Sequence, residues 1–241
     1  MKRILLLIVR LIAYVPGWLY KIHYYNRHLE DTSFEERFAF VQKMIRKINS
    51  KSRVHMHCYG KENIPTDQGC LFTPNHQGLF DSLIMFETID QPFSAVLKIE
   101  LMDVMVLKDV IRILEFEAMD RSNLRASVKV IKNITKKLSE DIHCIIFPEG
   151  TRCRQQNEML EFKGGSFKAA MDSHKPIVPV ALIDCYKVFD NNSIAPVDAQ
   201  IHYLPPLYYE DYKEMSSNEI ATCVQERIRQ CIQENEKNIY E

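Results

Sequence analysis

Glycine is scarce in this sequence, with 7 in 241 residues, and the glycine-rich loops that bind nucleotide phosphates are missing. Neither the G-x-G-x-x-G pattern of dinucleotide-binding domains nor the G-x-x-x-x-G-K-[ST] pattern of P-loops occurs. Charge of one sign is not in excess either, because 31 Lys and Arg against 32 Asp and Glu give a formal net charge of -1. Since a domain that coats nucleic acid is usually strongly basic, this balance argues against a nucleic-acid partner.

Cysteine pairs at metal-binding spacing are also missing. The seven cysteines are odd in number, scattered along the chain, and contain no C-x-x-C pattern. The sequence therefore supports neither a disulfide framework nor a cysteine-rich zinc site, and we predict no metal site. The simpler interpretation is a reducing compartment in which buried thiols act as small hydrophobic side chains.

No apolar run has the length of a simple membrane span, yet the chain begins with a strongly apolar segment. Residues 4–20 read ILLLIVRLIAYVPGWLY, with Arg10 inside the run and a break near Pro16. A spanning helix needs about 20 apolar residues, and no A-x-A-like signal-peptide cleavage site follows. Five aromatic residues, a type that favours the lipid headgroup layer, follow one another near its end: Tyr14, Trp18, Tyr20, Tyr24 and Tyr25. We expect a helix that enters one leaflet from the cytoplasmic face; the alternative is a buried core helix.

A second segment, at 34–48, has an amphipathic pattern. Its apolar residues follow spacings of three and four, which place them on one face of a helix. The opposite face is predicted to carry four basic residues: Arg37, Lys43, Arg46 and Lys47. This arrangement suits an anionic leaflet, and the alternative is an ordinary surface helix packed on the domain.

After about residue 52, short apolar runs alternate with helical stretches. The candidate strands are 54–59, 70–73, 93–97, 142–147, 177–183 and 199–204. The candidate helices are 80–89, 99–114, 122–140, 164–173 and 216–238. This alternation predicts an α/β fold, with a mainly parallel sheet flanked by helices and an N-terminal membrane-associated helical segment. We therefore expect membrane-associating helices at 1–50 and an α/β domain at 51–241.

The sequence Asn-His-Gln-Gly-Leu-Phe-Asp at 75–81 directly follows a candidate strand. His76 belongs to a turn and Asp81 to the first turn of a helix, so the turn must bring the ring back over the carboxylate. If it does, Asp81 accepts the Nδ1–H of the imidazole and leaves Nε2 free to take a proton. The alternative is a surface or capping histidine.

A second strand ends in the turn Phe-Pro-Glu-Gly-Thr-Arg at 147–152. Pro148 ends the strand, Gly150 permits an unusual backbone conformation, and Arg152 offers a fork of donors suited to phosphate. Glu149 is placed to anchor that guanidinium or to hold the loop. The alternative is a surface turn with a salt bridge.

Two further cations lie at predicted element ends, Lys98 after a strand and Arg121 before a helix. They suit an anionic headgroup, although most such side chains are simply solvated. The segment Phe-Lys-Gly-Gly at 162–165 opens a helix whose N–H groups are able to face an anion.

Taken together, these segments resemble the glycerolipid acyltransferase family, and among its members most closely those that acylate lysophosphatidate. Four blocks in the family's order carry the resemblance: NHQGLFD at 75–81, EFEAMDR at 115–121, FPEGTR at 147–152 and IVPVA at 177–181. They cover roughly residues 54–185. The N-H-x4-D pattern alone is a weak match, whereas its combination with FPEGTR at the family's usual distance is a strong one.

The resemblance implies His76 as general base and Asp81 as the carboxylate that orients it. It also implies a set of residues that bind the substrate or shape its loop: Asn75, Lys98, Arg121, Glu149, Gly150, Thr151 and Arg152. No enzyme acyl intermediate is implied, which agrees with the lack of a G-x-S-x-G pattern.

The implied reaction moves a fatty acyl group from an acyl thioester to the sn-2 hydroxyl of 1-acylglycerol-3-phosphate and gives phosphatidate. It needs no cofactor, because acyl-CoA or acyl-carrier protein is the acyl-donor substrate. The implied partners are the lysophospholipid, the thioester and a membrane surface. Three alternatives remain: acylation of glycerol-3-phosphate or another lysophospholipid, hydrolysis by the same histidine, and a lipid-binding membrane protein without catalysis.

Overall fold

The computed structural model describes residues 2–236 of the chain. Its helices are α1 (Lys2–Leu11), α2 (Val15–Arg27), α3 (Phe34–Lys51), α4 (Phe80–Thr88), α5 (Met105–Ile113), α6 (Leu124–Ser139), α7 (Lys168–Ser173), α8 (Tyr209–Tyr212) and α9 (Ser217–Asn235). Its strands are β1 (Val54–Tyr59), β2 (Leu71–Pro74), β3 (Phe93–Lys98), β4 (Glu117–Met119), β5 (His143–Ile145), β6 (Ile177–Ile183) and β7 (Val197–Tyr203). Short 3-10 turns lie at Lys61–Asn63, Ile99–Asp103, Gly164–Phe167 and Cys185–Val188.

The strands form one sheet in the order β1-β7-β6-β2-β5-β3-β4. Only the β6–β7 pair is antiparallel within the described chain, so the predicted mainly parallel sheet is confirmed. The sequence pattern missed β4, whose three residues carry too little apolar periodicity to stand out. Because β2, β3, β4, β5 and β6 run in one direction, their carboxyl ends share one edge of the sheet, where open α/β sheets place their binding sites.

Helices bury both faces of the sheet. On one face, α3 and α4 pack aromatic and aliphatic side chains such as Phe38, Phe80 and Phe86 against β2, β3 and β6. On the other face, α6, α7 and α9 contribute Ile134, Ala170, Ile228 and other buried side chains to a second cluster. Burial on both faces explains why β6 is apolar at all seven positions.

The apolar N-terminal segment forms two helices rather than one. α1 and α2 are bent by 84° relative to each other across a break at residues 12–14. Pro16 lies at the start of α2, where a backbone N–H would have no partner within the helix. The proline therefore costs α2 no hydrogen bond. Within residues 2–236, no single helix has the length and apolar composition of a membrane span, and only this bent pair meets those two criteria jointly.

α1 is attached to the α/β domain through a buried cation. The Arg3 guanidinium donates hydrogen bonds to the carbonyl oxygens of Ser52 and Ala195, both at 2.6 Å. Arg3 is 1% exposed, so its charge is satisfied by backbone dipoles at the edge formed by β1 and β7. Arg3, one of the two basic residues that precede the apolar run, therefore binds protein and does not face a headgroup layer.

α3 packs on the domain, as the alternative interpretation of its amphipathic pattern proposed. Phe38 and Val41 belong to the sheet's core cluster. The prediction that Arg37 belongs to an exposed basic face is wrong, because its side chain is buried and donates to the Ile113 carbonyl oxygen and to the Glu115 carboxylate. Since α3 extends to Lys51 and shares this core, the predicted boundary at residue 50 does not separate two hydrophobic cores.

Candidate active site

The turn after β2 brings His76 onto Asp81. His76 Nδ1 lies 2.7 Å from Asp81 Oδ2, and the same oxygen accepts the backbone N–H groups of Gln77 and Gly78 at 2.7 and 3.0 Å. Asp81 is fully buried in the first turn of α4, whereas the His76 side chain is 21% exposed. Three donors on one carboxylate oxygen hold the turn closed and fix the orientation of the ring. The predicted contact between His76 and Asp81 is therefore present.

The opposite ring nitrogen of His76 is available for chemistry. Nε2 has no hydrogen-bond partner within the part of the chain that the structure describes. The Phe147 ring packs against the imidazole, with ring centroids 4.2 Å apart. With Nδ1–H donated to Asp81, Nε2 is the ring nitrogen left free to take a proton, which is the arrangement that a general base requires.

Asn75 connects β2 to β6 and does not face a substrate. Its amide Oδ1 accepts from the Leu182 N–H at 2.7 Å, and its Nδ2 donates to the Leu182 carbonyl at 3.0 Å. The side chain is fully buried. The prediction of Asn75 as a substrate ligand does not fit this placement, because its polar atoms already pair with backbone. Asn75 instead holds the end of β2, and with it the start of the turn that contains His76.

Glu149 joins the histidine turn to the loop after β5. One carboxylate oxygen accepts the His76 backbone N–H at 2.7 Å, and the other accepts the Leu160 N–H at 2.8 Å. Glu149 is buried, so a bound phosphate has no free face of it to contact. Burial raises the pKa of Glu149 to about 7; the two N–H donors oppose this increase and the Asp81 charge adds to it. Of the two predicted roles, the structure favours holding the loop.

Gly150 lies where the backbone requires a glycine. Its φ is +73°, and a Cβ built there would lie 3.2 Å from Lys163 Nζ. The Lys163 ammonium therefore lies over the turn that contains Gly150, and the Lys163 N–H donates to the Pro148 carbonyl at 3.0 Å. A side chain at residue 150 would occupy the left-handed conformation at a cost and displace this cation.

Arg152 and Lys163 leave uncompensated positive charge at this turn. Neither side chain forms a hydrogen bond or ion pair with any residue between 2 and 236, and the same holds for Thr151. The next N–H along the chain, that of Cys153, donates to the His76 carbonyl at 2.8 Å. The turn is thus fixed beside the histidine, while its two cations stay available for an anion.

Lys98 and Arg121 form a separate group on the same edge of the sheet. Lys98 ends β3 and pairs with Glu100 at 2.6 Å, which lowers the pKa of that carboxyl. Partial burial lowers the pKa of Arg121, and the Glu100 charge opposes this change. β3 lies two strands from β2, about 10 Å away. No described hydrogen bond connects this group to His76, so the structure does not join it to the site centred there.

The geometry can therefore perform base catalysis beside an anion-binding turn. The imidazole is oriented by a buried carboxylate, and two free cations lie on the loop that is bonded to the histidine backbone. The arrangement contains an orienting group and a base within hydrogen-bond distance, two parts of a catalytic triad.

Comparison with known proteins identifies the family. The family model described as Acyltransferase matches residues 55–183, more than half of the chain. This chain belongs to the acyltransferase family. The matched range contains His76, Asp81, the 147–152 turn and both strands that Asn75 connects.

Several curated relatives share a printed name. The 1-acyl-sn-glycerol-3-phosphate acyltransferase of Cocos nucifera is 26% identical over 151 residues, which cover 61% of this chain and 49% of that protein. The protein of the same name from Borreliella burgdorferi is 27% identical over 171 residues, covering 70% and 68% of the two chains. The chain spans about half the length of the first of these relatives.

A solved structure shares the fold over nearly the whole chain. The crystal structure of the 1-acyl-sn-glycerophosphate (LPA) acyltransferase PlsC from Thermotoga maritima superposes with a TM-score of 0.74 at 20% identity. The match covers 98% of this chain and 97% of that one. The α/β fold of this acyltransferase family member, with helices flanking a mostly parallel sheet, is thus an established architecture.

Sequence reasoning missed residues that hold the acyltransferase site from a distance. The Gln77 side chain donates to Asn157 Oδ1 at 2.8 Å and accepts the Cys185 N–H at 2.9 Å, while Asn157 donates to Asp184 at 3.1 Å. This network joins the histidine turn to the loop after β5 and to the end of β6. Phe147 and Lys163 were within recognised motifs, but only the folded chain shows their contacts with His76 and Gly150.

Proposed function

We propose that this chain is a 1-acylglycerol-3-phosphate O-acyltransferase that produces phosphatidate for phospholipid biosynthesis. The observation that carries the proposal is His76 Nδ1 bonded to the buried Asp81 carboxylate at 2.7 Å, with Nε2 free and two unpaired cations on the loop that is bonded to the His76 backbone. The family match and the shared printed name of the curated relatives support the same reaction. A lipid-binding protein without catalysis would have no need of an oriented, unprotonated Nε2.

The proposed reaction is direct transfer. His76 Nε2 takes the proton of the sn-2 hydroxyl as its oxygen attacks the thioester carbonyl carbon. A new ester C–O bond forms, the C–S bond breaks, and the thiolate leaves and takes up a proton that the imidazolium returns. Asp81 stabilises the imidazolium without accepting its proton. A base of this kind contributes roughly 10²–10⁴-fold, and placing the alcohol beside the thioester supplies much of the remainder.

The phosphate of the acceptor is assigned to the turn at 147–152. Arg152 and Lys163 are the unpaired cations of the loop that is hydrogen-bonded to the histidine turn. The guanidinium fork of an arginine matches two phosphate oxygens. Glu149 cannot serve as a ligand there, because its oxygens bind backbone N–H groups and its charge repels phosphate. Lys98 and Arg121 are assigned a second role, contact with the headgroup as it enters from the membrane.

An assay with three outcomes tests the proposed function. The purified protein is incubated with lysophosphatidate and a labelled acyl-CoA or acyl-carrier protein, and the products are separated. Phosphatidate supports the proposal, free fatty acid indicates hydrolysis, and no product indicates a lipid-binding role. Parallel reactions with glycerol-3-phosphate and other lysophospholipids test the acceptor, and His76→Ala must remove the product if it arises at this site.

We also propose that α1 and α2 bind the surface of a bilayer on its cytoplasmic side. The support is a set of exposed apolar side chains on both helices and in the break between them: Ile4, Leu5, Ile8, Val9, Ile12, Tyr14, Val15, Leu19 and Tyr20. Exposed apolar side chains that are scattered singly are normal on any protein, whereas a group of this size marks an interaction surface. Such a surface suits a protein whose acceptor and product are lipids.

Substitution of exposed residues tests membrane binding better than truncation does. Leu7 and Leu11 of α1 are buried against the domain, so removing the helix would also remove packing. Leu5→Ser/Val9→Ser/Ile12→Ser changes only exposed positions and should lower the bound fraction in vesicle sedimentation. An unchanged bound fraction would contradict the assignment.

A further inference from the structure

The two most exposed large apolar side chains of the described residues lie beside the Lys98 and Arg121 group. Met105 is 78% exposed at the start of α5, and Leu124 is 79% exposed at the start of α6. Three more exposed apolar residues share this region, and together the five are here called the rim: Ile99, Val104, Met105, Val106 and Leu124. Both helices begin where β3 and β4 end, so the rim lies at the carboxyl edge of the sheet.

The rim surrounds charge that suits an anionic headgroup. Ile99 follows Lys98 directly, Leu124 lies three residues after Arg121, and the turn Ile99–Asp103 contacts β4. Exposed basic side chains continue along both helices: Lys108 and Arg112 on α5, and Arg125 and Lys129 on α6. Apolar side chains interspersed with cations are the pattern of a surface that lies in the headgroup layer.

The rim also adjoins the helices assigned to the membrane. α2 packs against α5, and Asn26 Nδ2 donates to the Asp109 carbonyl at 3.1 Å. A bilayer that contacts α1 and α2 therefore has α5 as its neighbour. The same edge of the sheet contains His76, which must meet a hydroxyl close to the headgroup of a lipid.

We propose that the rim is a second membrane-contacting surface, which inserts Met105 and Leu124 among anionic lipids and sets the carboxyl edge of the sheet against the leaflet. This inference rests on the proposed function, because it supplies the route by which a lipid acceptor reaches Lys98, Arg121 and then His76 while its acyl chain stays in the bilayer. The occupant is a lipid surface, since exposed apolar residues beside exposed cations match the two chemistries of a phospholipid.

The single tryptophan of the chain makes the test direct. Trp18→Phe/Met105→Trp places the one fluorophore on the rim, while the native Trp18 reports on α2. A control, Trp18→Phe/Glu140→Trp, places it at an exposed position beside the amino ends of the strands. Each protein is mixed with vesicles of phosphatidylglycerol and phosphatidylcholine, with and without lipids brominated on the acyl chains.

The expected result is a blue shift and quenching for tryptophan at 105, as for Trp18, and neither for tryptophan at 140. Quenching at 105 that does not exceed quenching at 140 would overturn the proposal, even if Trp18 is quenched. This measurement needs no turnover, so it remains decisive if the proposed reaction is wrong.

A second arm connects the rim to turnover. Met105→Asp/Leu124→Asp should reduce the rate on vesicle-borne lysophosphatidate by about tenfold or more, because each inserted apolar side chain contributes an effect of that order. The rate on a short-chain lysophosphatidate that is monomeric in solution should stay unchanged. Equal losses on both substrates would contradict membrane contact and indicate a local defect in the site. Both residues are exposed, and a thermal melt confirms folding.

Discussion

Glu149→Gln tests how the buried carboxylate acts on the histidine turn. The ionised side chain accepts one N–H on each oxygen, from His76 and from Leu160. A glutamine keeps one acceptor oxygen and replaces the other with an NH₂ group, which faces an N–H donor. One of the two connections is therefore lost, although volume and burial are conserved.

The expected size of the effect follows from the lost hydrogen bond. A buried N–H without an acceptor costs about 1–3 kcal/mol, and every 1.36 kcal/mol of barrier changes a rate by about tenfold. If the displaced turn loses the ring position needed in the transition state, kcat falls by roughly 5- to 150-fold. The KM for lysophosphatidate should change little, because Glu149 touches no substrate.

Initial rates at varied acceptor concentration separate kcat from KM, with Glu161→Gln as control because Glu161 is an exposed carboxylate on the same loop.

The pH profile of kcat adds an independent measurement. As the pH falls through about 7, wild-type Glu149 takes up a proton, which Glu149→Gln cannot do. The acid limb of log kcat should therefore be steeper in the wild type than in Glu149→Gln. The reasoning is refuted if Glu149→Gln raises the acceptor KM and leaves kcat intact, since that result would place Glu149 on the substrate.

Three further predictions concern the same site. His76→Ala should lower kcat by about 10²–10⁴-fold, and Asp81→Asn should also lower kcat without affecting vesicle binding; normal turnover by either variant in the product assay would exclude this base. Arg152→Ala and Lys163→Met should each raise the KM for lysophosphatidate by roughly 10- to 100-fold, because charge-assisted hydrogen bonds are lost. A change confined to the KM for the acyl donor would show that the phosphate binds at another site. Finally, Glu149 retains its proton in the folded state up to about pH 7 but loses it near pH 4.5 in the unfolded state. Its contribution to the free energy of unfolding therefore decreases as the pH rises between these two values. The decrease is on the order of 3 kcal/mol at most. Thermal melts from pH 5 to pH 8 should show this decline in the wild type beyond any in Glu149→Gln, and parallel curves would contradict the raised pKa.

The sequence determined those features that depend on short-range pattern. Strands such as β6 and helices such as α6 follow from apolar runs and from periodicity, which act within a few residues. The contact of His76 with Asp81 belongs to the same class, because both residues lie in one turn that follows a strand and opens a helix. Gly150 was likewise predictable, since its positive φ is a local requirement of the Pro-Glu-Gly turn.

Only the tertiary structure decided what the polar side chains near the site do. Three buried polar side chains satisfy backbone groups that are distant in sequence. Asn75 pairs with Leu182, Glu149 pairs with residues 76 and 160, and Arg37 pairs with Ile113. A buried polar group must find a partner, but the sequence does not state which strand or loop will supply it. The placement of Lys163 over Gly150, and of Met105 and Leu124 around the carboxyl edge, likewise depends on how β3, β4 and β5 are ordered in the sheet. Local pattern thus places His76 on Asp81, while long-range pairing decides which of the neighbouring polar side chains hold the scaffold and which remain unpaired.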